Sequence, residues 1–327
     1  MIESRHIYYR LLVALALLLP ALTGVAQVDA QFTQYWAAPG YYNPAAIGRV
    51  DSIHITAGSR AQWVGIHHAP LTFLGMADMP FKFLNKRWGT GVVLQQQSMG
   101  LYSSINVGAQ IAYKQKLFKG TFTVGAQVGF IREAFKGDSV RIPDADQAHT
   151  SADEAVPQTT VTGNAMDLSV GVFYQHKWFW VGASVAHVFE PSVTLKTNGD
   201  AEKFYDFQQG RIYYFMAGSN IPIKNSLFEI QPSIFAKTDA QFFQGEATLR
   251  VRYKKFLSGG IGYRYNDAVS LMIGAEFKNF FLGYSYDYAT SAISKASSGS
   301  HEVFLNYNVK LNLGEKNKNK HKSIRLM

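Results

Sequence analysis

Few residues in this chain have the types and spacing that chemistry requires. His67 and His68 are adjacent. Successive side chains of an extended chain point to opposite sides, so neighbouring imidazoles chelate one ion poorly. No Cys or acidic residue adjoins them, and no metal site is expected. The stretch 133–164 holds Asp138, Asp144, Asp146, Asp153 and Glu154. Carboxylates at Asp144 and Asp146 could hold Ca²⁺ with carbonyl help, but the spacing lacks the Gly and distal Glu of a known calcium loop. A solvated acidic loop is the expectation. Ser300 and His301 supply a nucleophile and a base, yet a hydrolase needs these and an orienting group to converge, and adjacency directs the two apart. No local motif supports catalysis or a cofactor, so the chain reads as non-enzymatic. It has no Cys, which removes disulfides, thiolate chemistry and lipid attachment at a Cys.

What the chain holds in quantity is alternation. Residues 1–26 come first: a basic flank (Arg5, His6, Arg10), the apolar run LLVALALLLPAL, then the small residues Gly24 and Ala26 ahead of Gln27. These are the parts of a secretory signal peptide, and the run is shorter than the roughly 20 residues that span a bilayer. Cleavage before Gln27 is expected. Further on, MDLSVGVFY (166–174) sets Met166, Leu168, Val170, Val172 and Tyr174 against Asp167, Ser169, Gly171 and Phe173. EATLRVRY (246–253) sets Ala247, Leu249, Val251 and Tyr253 against Glu246, Thr248, Arg250 and Arg252, and VFLNYNVKLN (303–312) repeats the pattern. A period of two means strands with two unlike faces. A soluble sandwich would press its apolar faces together and leave its charges in bulk water. A membrane barrel turns the apolar faces to lipid, with aromatics near the strand ends, and lets the charges share a wet lumen. Backbone groups in lipid have only one another for partners, so the sheet must close.

The pattern predicts strands near 51–60, 71–80, 89–97, 104–115, 120–132, 165–175, 178–188, 211–219, 227–237, 243–253, 259–265, 269–277, 280–288 and 302–312. The expected fold class is all-β: a transmembrane antiparallel β-barrel of about 14 strands, with a short N-terminal periplasmic plug segment. Short Lys-containing turns at 116–120, 175–178, 253–257 and 277–280 alternate with longer connections at 133–164, 189–210 and 289–301. Outer-membrane barrels have short periplasmic turns and longer external loops, so both chain ends are expected in the periplasm. Arg250, Arg252 and Arg264 are expected to face the lumen, with Glu229 and Glu276 available to balance them.

One stretch belongs to neither strand nor helix. QFTQYWAAPGYYNPAAIG (31–48) precedes the first strand and carries Phe32, Tyr35, Trp36, Tyr41 and Tyr42. Pro39 and Pro44 disfavour a long helix or a central strand, and a disordered leader would be poor in aromatics. The expectation is a segment that fills the barrel's periplasmic mouth. Phe32, Tyr35, Trp36, Tyr42, Asn43 and Pro44 would form the plug or a docking surface.

The same stretch resembles the N-terminal signature of the PorP/SprF family of Bacteroidetes outer-membrane proteins, associated with type IX secretion and gliding motility. The matching residues are Gln31, Phe32, Gln34, Tyr35, Tyr42, Asn43, Pro44, Ala45 and Gly48. A second block matches at Arg60, Gln62, Trp63, Pro70 and Thr72, and a closing block at Tyr286, Asp287, Tyr288, Ser291, Gly299, Ser300, His301, Glu302 and Tyr307. Two departures are the long basic tail GEKNKNKHKSIRLM and the lack of a clear terminal aromatic on the last strand.

The resemblance implies a non-enzymatic outer-membrane barrel of the type IX secretion or gliding machinery, anchoring periplasmic components or an exported surface protein. The alternative is a passive porin or a transporter of apolar solutes. The domains read as signal peptide 1–26, plug segment 27–50, barrel 51–313 and basic periplasmic tail 314–327. The tail holds Lys316, Lys318, Lys320, Lys322 and Arg325 against Glu315, within a formal net charge of +9. Such a run is usually solvated, and in the periplasm it could meet an acidic partner or the anionic inner surface. Expected partners are outer-membrane lipid, periplasmic secretion components and a secreted surface protein. Nucleic acid is not expected, because a signal peptide removes the chain from the cytoplasm.

Overall fold

Alternating sequence becomes paired strand along nearly the whole chain. A computed structural model describes residues 29–140, 157, 159–197 and 204–310. The proposed signal peptide, the basic tail and the carboxylates Asp144, Asp146, Asp153 and Glu154 lie outside the described residues. The strands, in chain order, are β1 (Ser52–Ala61), β2 (Leu71–Phe83), β3 (Lys86–Met99), β4 (Tyr102–Leu117), β5 (Gly120–Lys136), β6 (Thr160–Gln175), β7 (Phe179–Ala186), β8 (Ser192–Thr197), β9 (Phe204–Gln208), β10 (Ile212–Ser219), β11 (Ile221–Pro222), β12 (Phe228–Thr238), β13 (Phe243–Tyr253), β14 (Leu257–Arg264), β15 (Ala268–Phe277), β16 (Phe280–Ala289) and β17 (Ser300–Lys310). Fourteen of them, all but β8, β9 and β11, form a closed antiparallel barrel. Sequence neighbours pair in turn, and β1 pairs with both β2 and β17, which closes the ring. The described residues contain no helix long and apolar enough to cross a membrane; the strands do the crossing.

The two ends of the barrel differ. At one, strands join through tight connections such as Leu84–Asn85 and Phe118–Lys119, whose residues all take positive φ, as two-residue hairpin turns of matching twist require. The other end carries the connections 62–70, 137–159, 187–211 and 290–299. The first strand begins and the last strand finishes at the short-turn end.

Two expectations need correction at the loop end. The connection 189–210 contains the β8–β9 hairpin, and β5 and β6 run on to Lys136 and back from Thr160, so the connection between them is shorter than 133–164. The reason is packing. Val193 and Leu195 of β8 bury against Ile131 and Val161 on the extended β5–β6 wall. Residues 62–70 form the loop between β1 and β2.

Alternation gives each strand an outward apolar row. Leu249, Ile261 and Leu271 stand level on β13, β14 and β15 and are exposed. Ile273, Tyr284 and Val303 form the same kind of row on β15, β16 and β17. Phe83, Phe118, Trp178, Phe256 and Phe277 stand exposed at the short-turn end, where an interfacial aromatic girdle belongs.

This register makes a direct prediction. Cysteines introduced as Leu249→Cys and Val251→Cys should react with a lipid-soluble maleimide in the membrane, and Arg250→Cys and Arg252→Cys should not. An Arg on the lipid side at mid-depth would cost about 2–4 kcal/mol. The opposite labelling pattern would mean the strand is out of register by one residue.

Candidate functional site

The most elaborate polar and aromatic arrangement in the molecule is built around residues 29–48. Prolines at the first positions of two short turns, Pro39–Tyr42 and Pro44–Ala46, start each turn with a preset φ and no amide to satisfy. A third turn covers Tyr35–Ala37. Gly48 takes φ +58, where an added Cβ would meet the backbone of Met79 and Gly89 at 3.0 Å. That left-handed residue redirects the chain toward β1.

The contacts of this segment come from all around the barrel and run along its height. Asp29 meets His187, Gln209 and Lys237 at the loop end. The carbonyl of Gly40 accepts a hydrogen bond from Gln110 of β4. Asn43 donates to the carbonyls of Val172 and Ala183, partners on β6 and β7, at 2.9 and 3.2 Å. Gly48 donates to Asp78 at 2.5 Å near the short-turn end, where the Lys114 ammonium also reaches its carbonyl. The segment therefore threads the lumen from the loop end to the short-turn end, rather than sitting at one mouth. The physical reason is that the inner wall offers polar and apolar partners at every level, so the aromatics are buried along its height.

Thr33 stands at the centre of a desolvated charge cluster. Its hydroxyl donates to Asp287 at 2.8 Å and accepts from Arg60 at 3.0 Å and from Arg264 at 2.8 Å. Arg60 pairs with Asp287 at 2.6 Å and with Glu302 at 3.1 Å. Arg264 pairs with Glu246 at 2.9 Å and Asp267 at 3.0 Å. Glu302 also accepts the backbone amides of Thr33 and Gln34, each at 2.8 Å, and Glu246 accepts from the Gln31 amide at 2.9 Å. Arg60 and Glu302 are direct cross-strand partners, as are Glu246 and Arg264. Arg60, Arg264, Asp287, Glu246 and Glu302 are all buried.

The aromatics pack below and beside this cluster. Phe32 meets Phe304 edge-on at 5.2 Å, and its amide donates to the Tyr42 hydroxyl at 2.7 Å. Tyr35 stacks on Phe235 at 5.0 Å and donates to Ser233 at 2.8 Å. Tyr42 packs on Phe235 and Tyr214. Trp36 lies under the Arg250 guanidinium, 3.3 Å from ring centroid to Cζ, and against Phe281. Phe32, Tyr35, Tyr42 and Asn43 are buried, and Pro44 is too. At Gly125 of β5 an added Cβ would lie 2.4 Å from the Ala45 nitrogen, so glycine there lets segment and wall approach backbone to backbone.

The charges singled out from alternation fall into two groups. Arg252 pairs with Glu229 at 3.7 Å and also with Glu276, while Arg250 serves Trp36. Arg264 joins the Thr33 cluster instead. Sequence reasoning named no role for Arg60, Asp287, Glu302 or Thr33, although all but Thr33 are matching positions of the motif blocks; the signal was a set of charges in blocks far apart in the chain. It also missed His187, which lies 3.3 Å from Asp29 and 3.1 Å from Asp167. Burial would lower the His187 imidazole, but the Asp29 and Asp167 carboxylates hold it up at about 10. Burial likewise would raise Asp29, and His187 together with the Tyr214 hydroxyl holds it below the ordinary carboxylate range. His67 and His68 do not point apart as expected. His68 takes φ 57 and the two rings lie 3.9 Å apart, with no group of three metal-ligating side chains among the described residues. Ser300 accepts from the Trp63 amide, while His301 pairs with the Tyr284 hydroxyl.

Comparison with known proteins agrees with this architecture. The family model described as type IX secretion system membrane protein PorP/SprF matches residues 24–307. No curated protein matches the chain in sequence. Among solved structures, the toluene transporter TbuX of Ralstonia pickettii is 13% identical over 84% of this chain and 94% of its own, with a TM-score of 0.50. The toluene transporter TodX of Pseudomonas putida is 10% identical over 86% and 95%, with a TM-score of 0.47. At such identity the likeness to TbuX shows a shared barrel fold alone.

Two outcomes follow from the geometry. Thr33→Val keeps the shape but removes the bridging hydroxyl, at about 1–3 kcal/mol; Arg60→Met strands buried carboxylates, at about 3–5 kcal/mol. Both should lower the unfolding midpoint of the detergent-purified barrel, Arg60→Met more, and an unchanged midpoint for Thr33→Val would remove the hydroxyl from the argument. The His187 contribution is complete below its ordinary value of 6.5 and is lost as pH rises through about 10. Protease cleavage near Asp29 should therefore accelerate from pH 7 to pH 10, and His187→Gln should flatten that rise.

Proposed function

The chain belongs to the PorP/SprF family of type IX secretion system membrane proteins, and from that premise we propose that it is a non-enzymatic outer-membrane anchor. Its short-turn end faces the periplasm, as in outer-membrane barrels generally, and holds periplasmic secretion components or an exported surface protein in place. The observation that carries this reading is the lumen's occupant. Phe32, Thr33, Gln34 and Tyr35 are almost wholly buried inside the ring and tied to β1, β12, β14, β16 and β17. A barrel whose interior is filled by its own chain, through buried ion pairs, is better suited to a fixed scaffold than to passing solutes.

The segment acts in this reading as a plug, and Phe32, Tyr35, Trp36, Tyr42, Asn43 and Pro44 give it its shape. No catalytic role is assigned to any residue, and signal-peptide removal before Gln27 delivers the chain to the membrane.

Affinity purification from detergent-solubilised membranes tests the anchor. Co-purification of periplasmic secretion components, with no single-channel conductance in planar bilayers, is the expected outcome; a lone conducting barrel would overturn it. The triple variant Tyr35→Ala, Trp36→Ala, Tyr42→Ala removes burial worth roughly 1.5–3 kcal/mol per ring. It should still insert, shown by heat-modifiable gel mobility, but expose the segment to protease and reduce export of the cognate surface protein. Slow cleavage with normal export would refute the plug.

A further inference from the structure

The ion pairs of the lumen gather toward the loop end, with His54–Asp78 and the Arg252–Glu229–Glu276 group near the short-turn end. One sector of the short-turn end is different. Between the turns that follow β2, β4 and β6, a concave cavity of about 1280 Å³ opens at the mouth. Eight lysine and arginine side chains line it against one carboxylate, Asp51. Lys82, Lys86, Arg87, Lys116, Lys119 and Lys177 are all exposed in it. Among the described residues, none of the eight forms an ion pair with a carboxylate. Gly48 and Arg49, where the threaded segment leaves the lumen, form part of its lining together with Phe173.

Unpaired like charges repel one another and are kept together at an electrostatic cost unless something negative meets them. We propose that this cavity is the docking site for an acidic segment of a periplasmic protein partner. The inference rests on the anchor reading, because it names the chemistry of what is anchored. The shape selects a protein segment over a lipid surface. The cavity is walled by β2, β3, β4, β5 and β6 and lies at the barrel's mouth, whereas headgroups of the surrounding leaflet meet the outer face. Its volume admits a chain segment several residues long, and its lining of lysine stems beside the Phe81 ring suits an acidic segment that also carries apolar groups. Long-range attraction from so many cations would also speed encounter, with a steep dependence on salt.

A fluorescent dodecaglutamate peptide serves as probe, with full-length protein in zwitterionic detergent and anisotropy read at low and physiological salt. Wild-type protein should bind it, and more weakly at higher salt. The variant Lys82→Gln, Lys86→Gln, Lys119→Gln, Lys177→Gln should lose about tenfold in affinity. The matched variant Lys224→Gln, Lys254→Gln, Lys255→Gln, Lys278→Gln removes the same charge from short-turn-end residues outside the cavity and should change affinity by less than about twofold. Heat-modifiable mobility checks that both remain folded. Equal loss in both variants, no binding by wild type, or binding that disappears only when residues 314–327 are removed would each overturn the proposal. Displacement of the peptide by phosphatidylglycerol vesicles with the same variant dependence would overturn it in favour of a lipid site. Peptide binding is measured without any secretion component, so its failure leaves the co-purification test of the anchor standing, and the reverse also holds.

Discussion

A strand in hydrocarbon has no water for its amide and carbonyl groups, and everything else in this molecule follows from that. The groups must be paired, the sheet must have no edge, and β1 must find β17 across the full length of the chain. Closure with fourteen strands has a consequence of its own. Eight strands give an interior that wall side chains just fill; a wider ring cannot be filled by its wall alone. Either water occupies the lumen or the chain supplies a filler. Here the filler is the stretch before the first strand. Its aromatics meet Phe304, Phe235, Tyr214 and Phe281 on the inner faces of β17, β12, β10 and β16.

The Thr33 cluster joins these two requirements. Arg60 lies opposite Glu302 across the β1–β17 seam, so the pair that closes the ring is also the pair that receives the segment. Buried charges of this kind add little net stability against an apolar replacement, but are costly to break. Their value lies in specification. A one-residue slip of β1 would carry Arg60 to the lipid face and leave Glu302 and Asp287 without that partner. The cluster thus selects one register at the only place where the chain must pair its two ends.

The outer face of this barrel was legible, because lipid imposes a period of two that no other element shares. The fourteen staves emerged at nearly their observed bounds for that reason. The β8–β9 hairpin escaped, since six alternating residues above the membrane carry the same signal as a loop until Ile131 and Val161 are seen to cover Val193 and Leu195. The interior was less legible. Apolar content says that residues 31–48 must be buried, not at which height. The missing clue was the polar set between the rings: Gln31, Thr33 and Gln34 alternate with Phe32 and Tyr35, a pattern suited to a wall that mixes carboxylates with aromatics. Thr33 and Asp287 are 254 positions apart, and no local pattern reports such a contact. The charged residues of the second and last motif blocks, Arg60, Asp287 and Glu302, were its only trace.

The barrel's charges are distributed unequally, and the inequality bears on what the molecule is for. Toward the loop end, Arg60 and Arg264 are surrounded by four carboxylates, and His187 by two. Internal groups already answer one another there, so a ligand would have to displace a neutralised network. At the short-turn end, the turns following β2, β4 and β6 present lysines with no carboxylate in contact among the described residues. A conduit would need favourable but weak sites along its whole length. Here residues 29–48 occupy the interior, Arg60 and Arg264 are ion-paired toward the loop end, and the lysine-lined sector lies at one mouth. That division is what the proposed scaffold reading requires: an interior that holds its own shape, and one mouth with charge to offer.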